Sequence, residues 1–436
     1  MRSFREFLYR LFRPKNLFHI DNILSMSFAF LMLYALSNLN FEILNPIGEA
    51  FSDVDVTDLA YSQLGKNEDK RGVDEHGIPR LDTNVVIVNI GDLSRKEIAE
   101  QIFKINQNGA KVIGVDAFFD GDRDPIGDMM LESAIRFGKN VILVSKAVNY
   151  SKDDNFCDSI EHSNSKFQEL ALKTGLANMV TDNEGTDQSK FNICRSFLVK
   201  AHVRKSDHIE YSFPIELACH LDSSAVMDLI ARENDEEYIN FSGNIHRDFM
   251  TLPYNRFKVY DVNYRDDNWC APNAFKNKIV LMGFLGSTLD EVTGEDKFFT
   301  PFNHKYVGKS DLDMYGVVVH ANSISMILER DFIDEFPKWL SHLIGFLITY
   351  LLFAAFRGIF NDYKVWYDGL TKLLSLILIA VVLYFELLLF DAFDYKIAFS
   401  GMYFAIIAFS RDFLEIYYGL IKNVVYKVFP KSRKLF

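Results

Sequence analysis

The sequence predicts an α/β extracytoplasmic domain with a mainly parallel sheet, carried by four transmembrane α-helices, one before it and three after. Three observations predict it. Long apolar stretches occur toward the two ends of the chain, while the middle is mixed, polar and acidic. That middle alternates short β-branched runs with segments of helical periodicity, the pattern of parallel strands joined by crossover helices. Charge is divided the same way: residues 1–22, 357–369 and 411–436 together carry +7 and the rest −19, for a net charge of −12 over 436 residues.

Residues 1–22 place Phe4, Phe7, Leu8, Leu11 and Phe12 at helical spacing among Arg5, Arg10 and Arg13, predicting a basic amphipathic helix on the inner leaflet. The first span, 23–44, is uncharged up to Glu42 and long enough to cross the hydrocarbon core. The basic residues before it put the N-terminus in the cytoplasm. A cleaved signal peptide ending near Ala35 and Ser37 competes with this reading, but the long basic leader favours an uncleaved anchor.

The later spans are 338–356, 370–390 and 395–411. Arg357, Lys364 and Arg411 then lie inside, and both termini are cytoplasmic. This is the topology of a multi-pass protein of the bacterial inner membrane, with residues 45–337 in the periplasm. Ser341, Gly345 and Thr349, and again Gly401 and Ala405, form small-residue ladders that predict close helix packing, within the chain or in a homo-oligomer. Two ionisable residues lie inside the spans, His342 and Glu386. They either pair and relay protons or snorkel to the interface. The tail, 412–436, keeps Phe413, Ile416, Tyr417, Leu420, Ile421, Val424, Val425 and Val428 at helical spacing before Pro430, a stripe suited to lipid headgroups or to another protein.

Within the outer domain, "VVIVNIGD" from Val85 is a buried strand. Ser94 as N-cap, Glu97 three residues on and Gly109 as the stop frame the next helix, whose inner face is Ile98, Ile102 and Ile105. "KVIGVDAFF" and "NVILVSKAV" are strands on either side of a helix at 126–137. Signals weaken over 150–275, where "SFLVKAHV" and "EEYINFSG" read as strands and "FPIELACHL" as a helix. "NKIVLMGF" is a further strand, and "YGVVVHANSISMILERDFI" reads as strand turning to helix. Cys157, Cys194, Cys219 and Cys270 all fall in this domain, with spacings that fit no zinc site; disulfides and free thiols both stay open.

Taken in order, these stretches resemble the second type of CHASE domain, an extracytoplasmic sensor found with bacterial cyclases and kinases. The residues carrying the resemblance are Asp92 and Ser94, then Gly109, Ala110 and Asp116, and later Gly283, Asp290, Thr300, Pro301, Gly316, His320 and Ala321. One anchor before the sensor and three spans after it also match. The resemblance implies a cytoplasmic effector, which this sequence does not continue into.

Asp92, Asp116 and Asp290 follow or end apolar strands, and the carboxyl ends of parallel strands border the usual ligand crevice. With His320 they are the candidate contacts for a small polar ligand or a cation; the alternatives are turn and cap roles for the aspartates and a satisfied buried histidine. No phosphate-binding glycine loop, nucleophile elbow or zinc-protease helix occurs, so no catalytic residue, cofactor or metal is predicted. The acidic domain argues against nucleic acid.

The expected function is that of a membrane-anchored sensor or receptor-like subunit. It would take a ligand or periplasmic protein outside, contact membrane lipid, and signal to a separate cytoplasmic or membrane protein. A scaffolding subunit of an envelope complex is the alternative. A hydrolase would require Asp92, Asp116, Asp290 and His320 to meet within hydrogen-bond reach.

Overall fold

The computed structural model describes residues 6, 9–37, 55–151, 154–181, 193–204, 206, 208–246, 255–289, 295–303, 312–397 and 401–422. In chain order the principal helices are α1 (Ile20–Ser37), α2 (Arg95–Gln107), α3 (Pro125–Gly138), α4 (Phe213–Cys219), α5 (Ser223–Ile230), α6 (Gly316–Glu329), α7 (Lys338–Asp362), α8 (Tyr367–Phe393) and α9 (Gly401–Ile416). The chain divides into two units, Asp58–Ile333 and the combination of Met1–Thr57 with Asp334–Phe436.

The first unit is built on a sheet of eight strands among the described residues: β1 (Val85–Asn89), β2 (Val112–Val115), β3 (Val141–Val148), β4 (Ser159–His162), β5 (Lys173–Leu176), β6 (Asn244–His246), β7 (Asn255–Tyr260) and β8 (Ile279–Gly283). Their order is β6-β7-β1-β8-β2-β3-β4, with β5 also paired to β3. Only the β3–β4 pairing is antiparallel. β1, β2 and β8 are buried along their whole length, as continuous apolar strands covered on both faces should be. β8 slots between β1 and β2, so a late segment completes the centre of a sheet begun early in the chain.

One face carries α2 and α3, whose Ile98, Ile102, Leu131 and Ile135 pack on Val86, Ile113 and Val141. The start of α2 is a full capping box: Ser94 accepts from the Glu97 N–H, and the Glu97 carboxylate accepts from the Ser94 N–H at 3.0 Å. Gly109 then takes a left-handed φ of 84° just beyond the helix end. The other face carries α4 and α6, and two strand glycines let them approach. A methyl at Gly114 would lie 2.6 Å from Phe213 and Leu217, and one at Gly283 would lie 2.6 Å from Val317.

Several sequence expectations are corrected here. In "YGVVVH" only Met314–Tyr315 is extended, and the helix begins at Gly316. Every residue from Gly316 to Ile327 is buried, and packing on all sides outweighs the modest helix penalty of the three valines. "SFLVKAHV" breaks at Val199 into two strands belonging to different small sheets, and "EEYINFSG" is extended only over Glu236–Tyr238. All four cysteines are free thiols, Cys157 and Cys194 buried, Cys270 half-buried and Cys219 exposed.

Among the described residues of the second unit three helices are long and apolar enough to cross a membrane: Pro14–Ala35, Lys338–Asp362 and Lys364–Phe393. The first lies nearer the N-terminus than 23–44, and residues 38–54 fall outside the description. α9 is shorter, and its Ile406, Ile407, Phe413 and Leu414 share a core with Leu11, Met26, Phe353 and Phe356. Phe413 and Tyr417, expected to face headgroups or a partner, are therefore turned into the bundle of their own chain, and so is Leu11. Phe4, Phe7, Leu8, Val424, Val425 and Val428 lie outside the described residues.

The ladder on α7 serves packing within the chain. A methyl on Gly345 would meet the Tyr403 ring of α9 at 2.8 Å, and Ser341 and Thr349 are buried on the same face.

Candidate functional site

β2 and β3 lie side by side, and their carboxyl ends border a cavity of about 260 Å³. Its polar lining is Asp116, Ser145, Lys146, Asn178, Asp296 and His320, and Phe118, Met179 and Phe298 form apolar wall. Asp116 directly follows β2, and its N–H donates to the Met282 carbonyl of β8 at 2.7 Å, which fixes it at the strand end. α6 brings His320 in from the side. The loop between β8 and α6 brings Asp296, whose carbonyl accepts from the Gly316 N–H at 2.9 Å. Gly316 itself leaves little spare room, since a methyl there would meet Phe298 at 3.3 Å and Asp296 Oδ1 and Met179 at 3.4 Å.

Not all of these groups are free to act. The Ser145 hydroxyl donates to Glu210 at 3.0 Å, a carboxylate also bonded to Thr174 and His208. The Asn178 amide is committed to the backbone of Ala147 in both directions. By contrast, Asp116 and Asp296 have no ion-pair partner among the described residues. His320 is 3% exposed, its ring lies edge-on to Phe213 at 5.4 Å, and its Nε2 has no hydrogen-bond partner.

The electrostatics follow from that arrangement. Burial, reinforced by the charge of Asp296, pushes the Asp116 carboxyl up to about 7. Asp116 is half-buried, its open side being the cavity it lines. Asp296 is raised to about 6 by burial of its inner side, although the residue stands at an exposed rim where solvent works against that shift. Burial holds the His320 imidazole down at about 3, so the ring is neutral. Lys146 is exposed at the rim.

Of the four residues singled out by sequence, the structure brings Asp116 and His320 together. Asp92 is exposed in the turn after β1 and is not part of the cavity lining. The end of β1 is instead plugged by Asn89, which accepts from the Gly91 and Leu285 N–H groups and donates to Asp261 and the Gly286 carbonyl, all at 2.9–3.0 Å. Nor does Asp92 cap α2, since Ser94 does. Asp290 lies outside the described residues. The expected alternative for His320, a satisfied buried side chain, does not hold at Nε2.

Thr300 has a structural part: its N–H donates to Asp313 at 2.9 Å and its hydroxyl bonds the same carboxylate, tying the loop to the chain shortly before α6. Among the described residues no cluster of three or more His, Cys, Asp or Glu is arranged to hold a metal. In the second unit the ring of His342 meets the Tyr403 hydroxyl at 3.2 Å rather than Glu386, and Glu386 is 3% exposed, buried in protein instead of reaching outward.

Comparison with known families matches residues 72–358 to the CHASE2 domain. The chain belongs to the CHASE2 family. No curated protein and no solved structure matches it. CHASE2 domains are sensory and extracellular, and the match here takes in the sheet, the cavity and most of α7. Within this CHASE2 domain the residues that carried the resemblance divide by role. Asp116, Gly316 and His320 line the cavity, while Gly109, Gly283 and Thr300 shape the frame around it. Asp296 and Lys146 escaped the sequence reading. The one local sign of Asp296 was a charged run, "EDK", set directly before the apolar "FF".

Proposed function

We propose that this CHASE2 protein is a four-span sensor of a bacterial inner membrane, which binds a small ligand on the periplasmic side and relays its occupancy to a separate protein. One observation carries the reading: two carboxylates without ion-pair partners line the same cavity as His320, a buried neutral imidazole with no partner at Nε2. Buried polar groups are normally satisfied, so a cavity that leaves these open is suited to a ligand that satisfies them. A route inward is available along the chain, because α6, which carries His320, leads by a short stretch into α7.

The fourth span of this reading is α9, extended by the turn Tyr417–Lys422 and packed into the same core as α1 and α7. A fourth span and the charge distribution together support a reading with both termini in the cytoplasm. The tail beyond Lys422, rich in Lys and Arg, is the proposed contact with lipid and with the downstream protein. Crosslinking in native membranes tests this, comparing the full chain with one truncated after Lys422, a cut that spares the buried Phe413, Leu414 and Tyr417. The expected result is loss of a crosslinked protein on truncation and its altered yield in Asp116→Asn. An unchanged partner set in both chains refutes the relay.

A further inference from the structure

We propose that the cavity takes a small organic primary amine, with the ammonium seated among Asp116, Asp296 and His320 and the apolar body against Phe118, Met179 and Phe298. This rests on the reading of the cavity as the sensory site and goes beyond it by naming the ligand class. An ammonium offers three N–H donors and no acceptor. Two carboxylates able to accept line this space, and the buried His320 ring, with no partner at Nε2, stands in its wall. The two carboxylates share a walled cavity with a buried ring and apolar side chains, which separates this site from an ordinary acidic patch.

Charge argues for the same class. A cation beside Asp116 offsets both the burial and the repulsion from Asp296 that work against its ionised form. An anion would join two carboxylates, with Lys146 as the only cationic side chain of the lining among the described residues. Size favours a ligand larger than ammonium, because about 260 Å³ is many times the roughly 10–15 Å³ that one water needs by the same measure. The remaining room is walled by aromatic and thioether side chains, which favours a hydrocarbon body.

The experiment uses the full chain in lipid nanodiscs and follows thermal unfolding by the fluorescence of Trp269, with Trp339 and Trp366 replaced by Phe. The probes are 2-phenylethylamine, 3-phenylpropionate, which has a similar body and the opposite charge, and calcium chloride. The amine is expected to raise the unfolding temperature in a dose-dependent way while the other two do not. Asp116→Asn and Asp296→Asn, both close in shape to the parent and expected to unfold cooperatively, should each weaken the apparent affinity about tenfold or more. A shift with phenylpropionate or calcium but none with the amine overturns the amine assignment and leaves a ligand cavity in place. An amine shift that survives both substitutions puts the amine elsewhere and overturns the assignment too. No shift with any probe overturns the amine and the sensory cavity together.

Discussion

Asp116 enters the folded state with its carboxyl at about 7 instead of 3.8, because burial and the nearby Asp296 both disfavour its charge. The folded chain therefore keeps a proton that the unfolded chain releases. That stabilising contribution is complete below pH 3.8 and is lost as pH rises through about 7. Asp296 and Asp313, each raised to about 6 by burial, act in the same direction. Asp128 runs the other way: despite the cost of burial, Lys166 and Arg95 hold it at about 2, so its contribution is present above 3.8 and lost as pH falls toward 2. The ligand-free chain should thus unfold at falling temperature between pH 5 and pH 8, as read by Trp269, which is 7% exposed among Tyr260, Tyr264 and Phe275. Asp116→Asn should flatten that slope and raise the unfolding temperature at pH 8. A variant that keeps the parent slope would show that Asp116 is charged in the folded state throughout.

At the scale of elements, legibility tracked how local the determinants are. α2 was readable end to end because its cap, its apolar face and its stop all lie within one short stretch, from Ser94 to Gly109. Ser94→Ala should cost about 1 kcal/mol in chemical denaturation, with Ser94→Thr close to the parent. The start of α6 was not readable, because "GVVV" has strand propensity and only burial on every side makes it helical. The cavity was half readable for a related reason. Asp116 and His320 follow or lie within strongly patterned elements, whereas Asp296 sits in a loop with no periodicity and Asp92 follows a strand whose end Asn89 already fills. In the second unit the small-residue ladder was legible and its partner was not, since only folding shows that Gly345 lies against Tyr403. Gly345→Leu should push that ring away and lower the thermal stability of the detergent-solubilised chain, while Ile348→Leu nearby should change it little. Equal effects of the two would remove the close-packing role of Gly345.

For the whole molecule the open physical question is orientation, and the divided charge answers it in a testable form. A bundle with basic residues at residues 1–22, around the turn between α7 and α8 and in the tail is predicted to keep all three on the cytoplasmic side, with the acidic CHASE2 domain opposite. The chain supplies its own reporter for the predicted outer side, since Cys219 is the exposed thiol while Cys157 and Cys194 are buried. Val365, 93% exposed in the turn between α7 and α8, is the matching inner position. In spheroplasts, a membrane-impermeant maleimide should label Cys219 directly in a Cys270→Ser background. Val365→Cys, in a background that also carries Cys219→Ser, should react only after permeabilisation. Ser432→Cys in that background then decides the span count: if α9 crosses, it behaves like Val365→Cys, and if α9 lies on the surface, it labels from outside like Cys219. Labelling of Val365→Cys in intact spheroplasts would invert the topology and place the cavity on the cytoplasmic side.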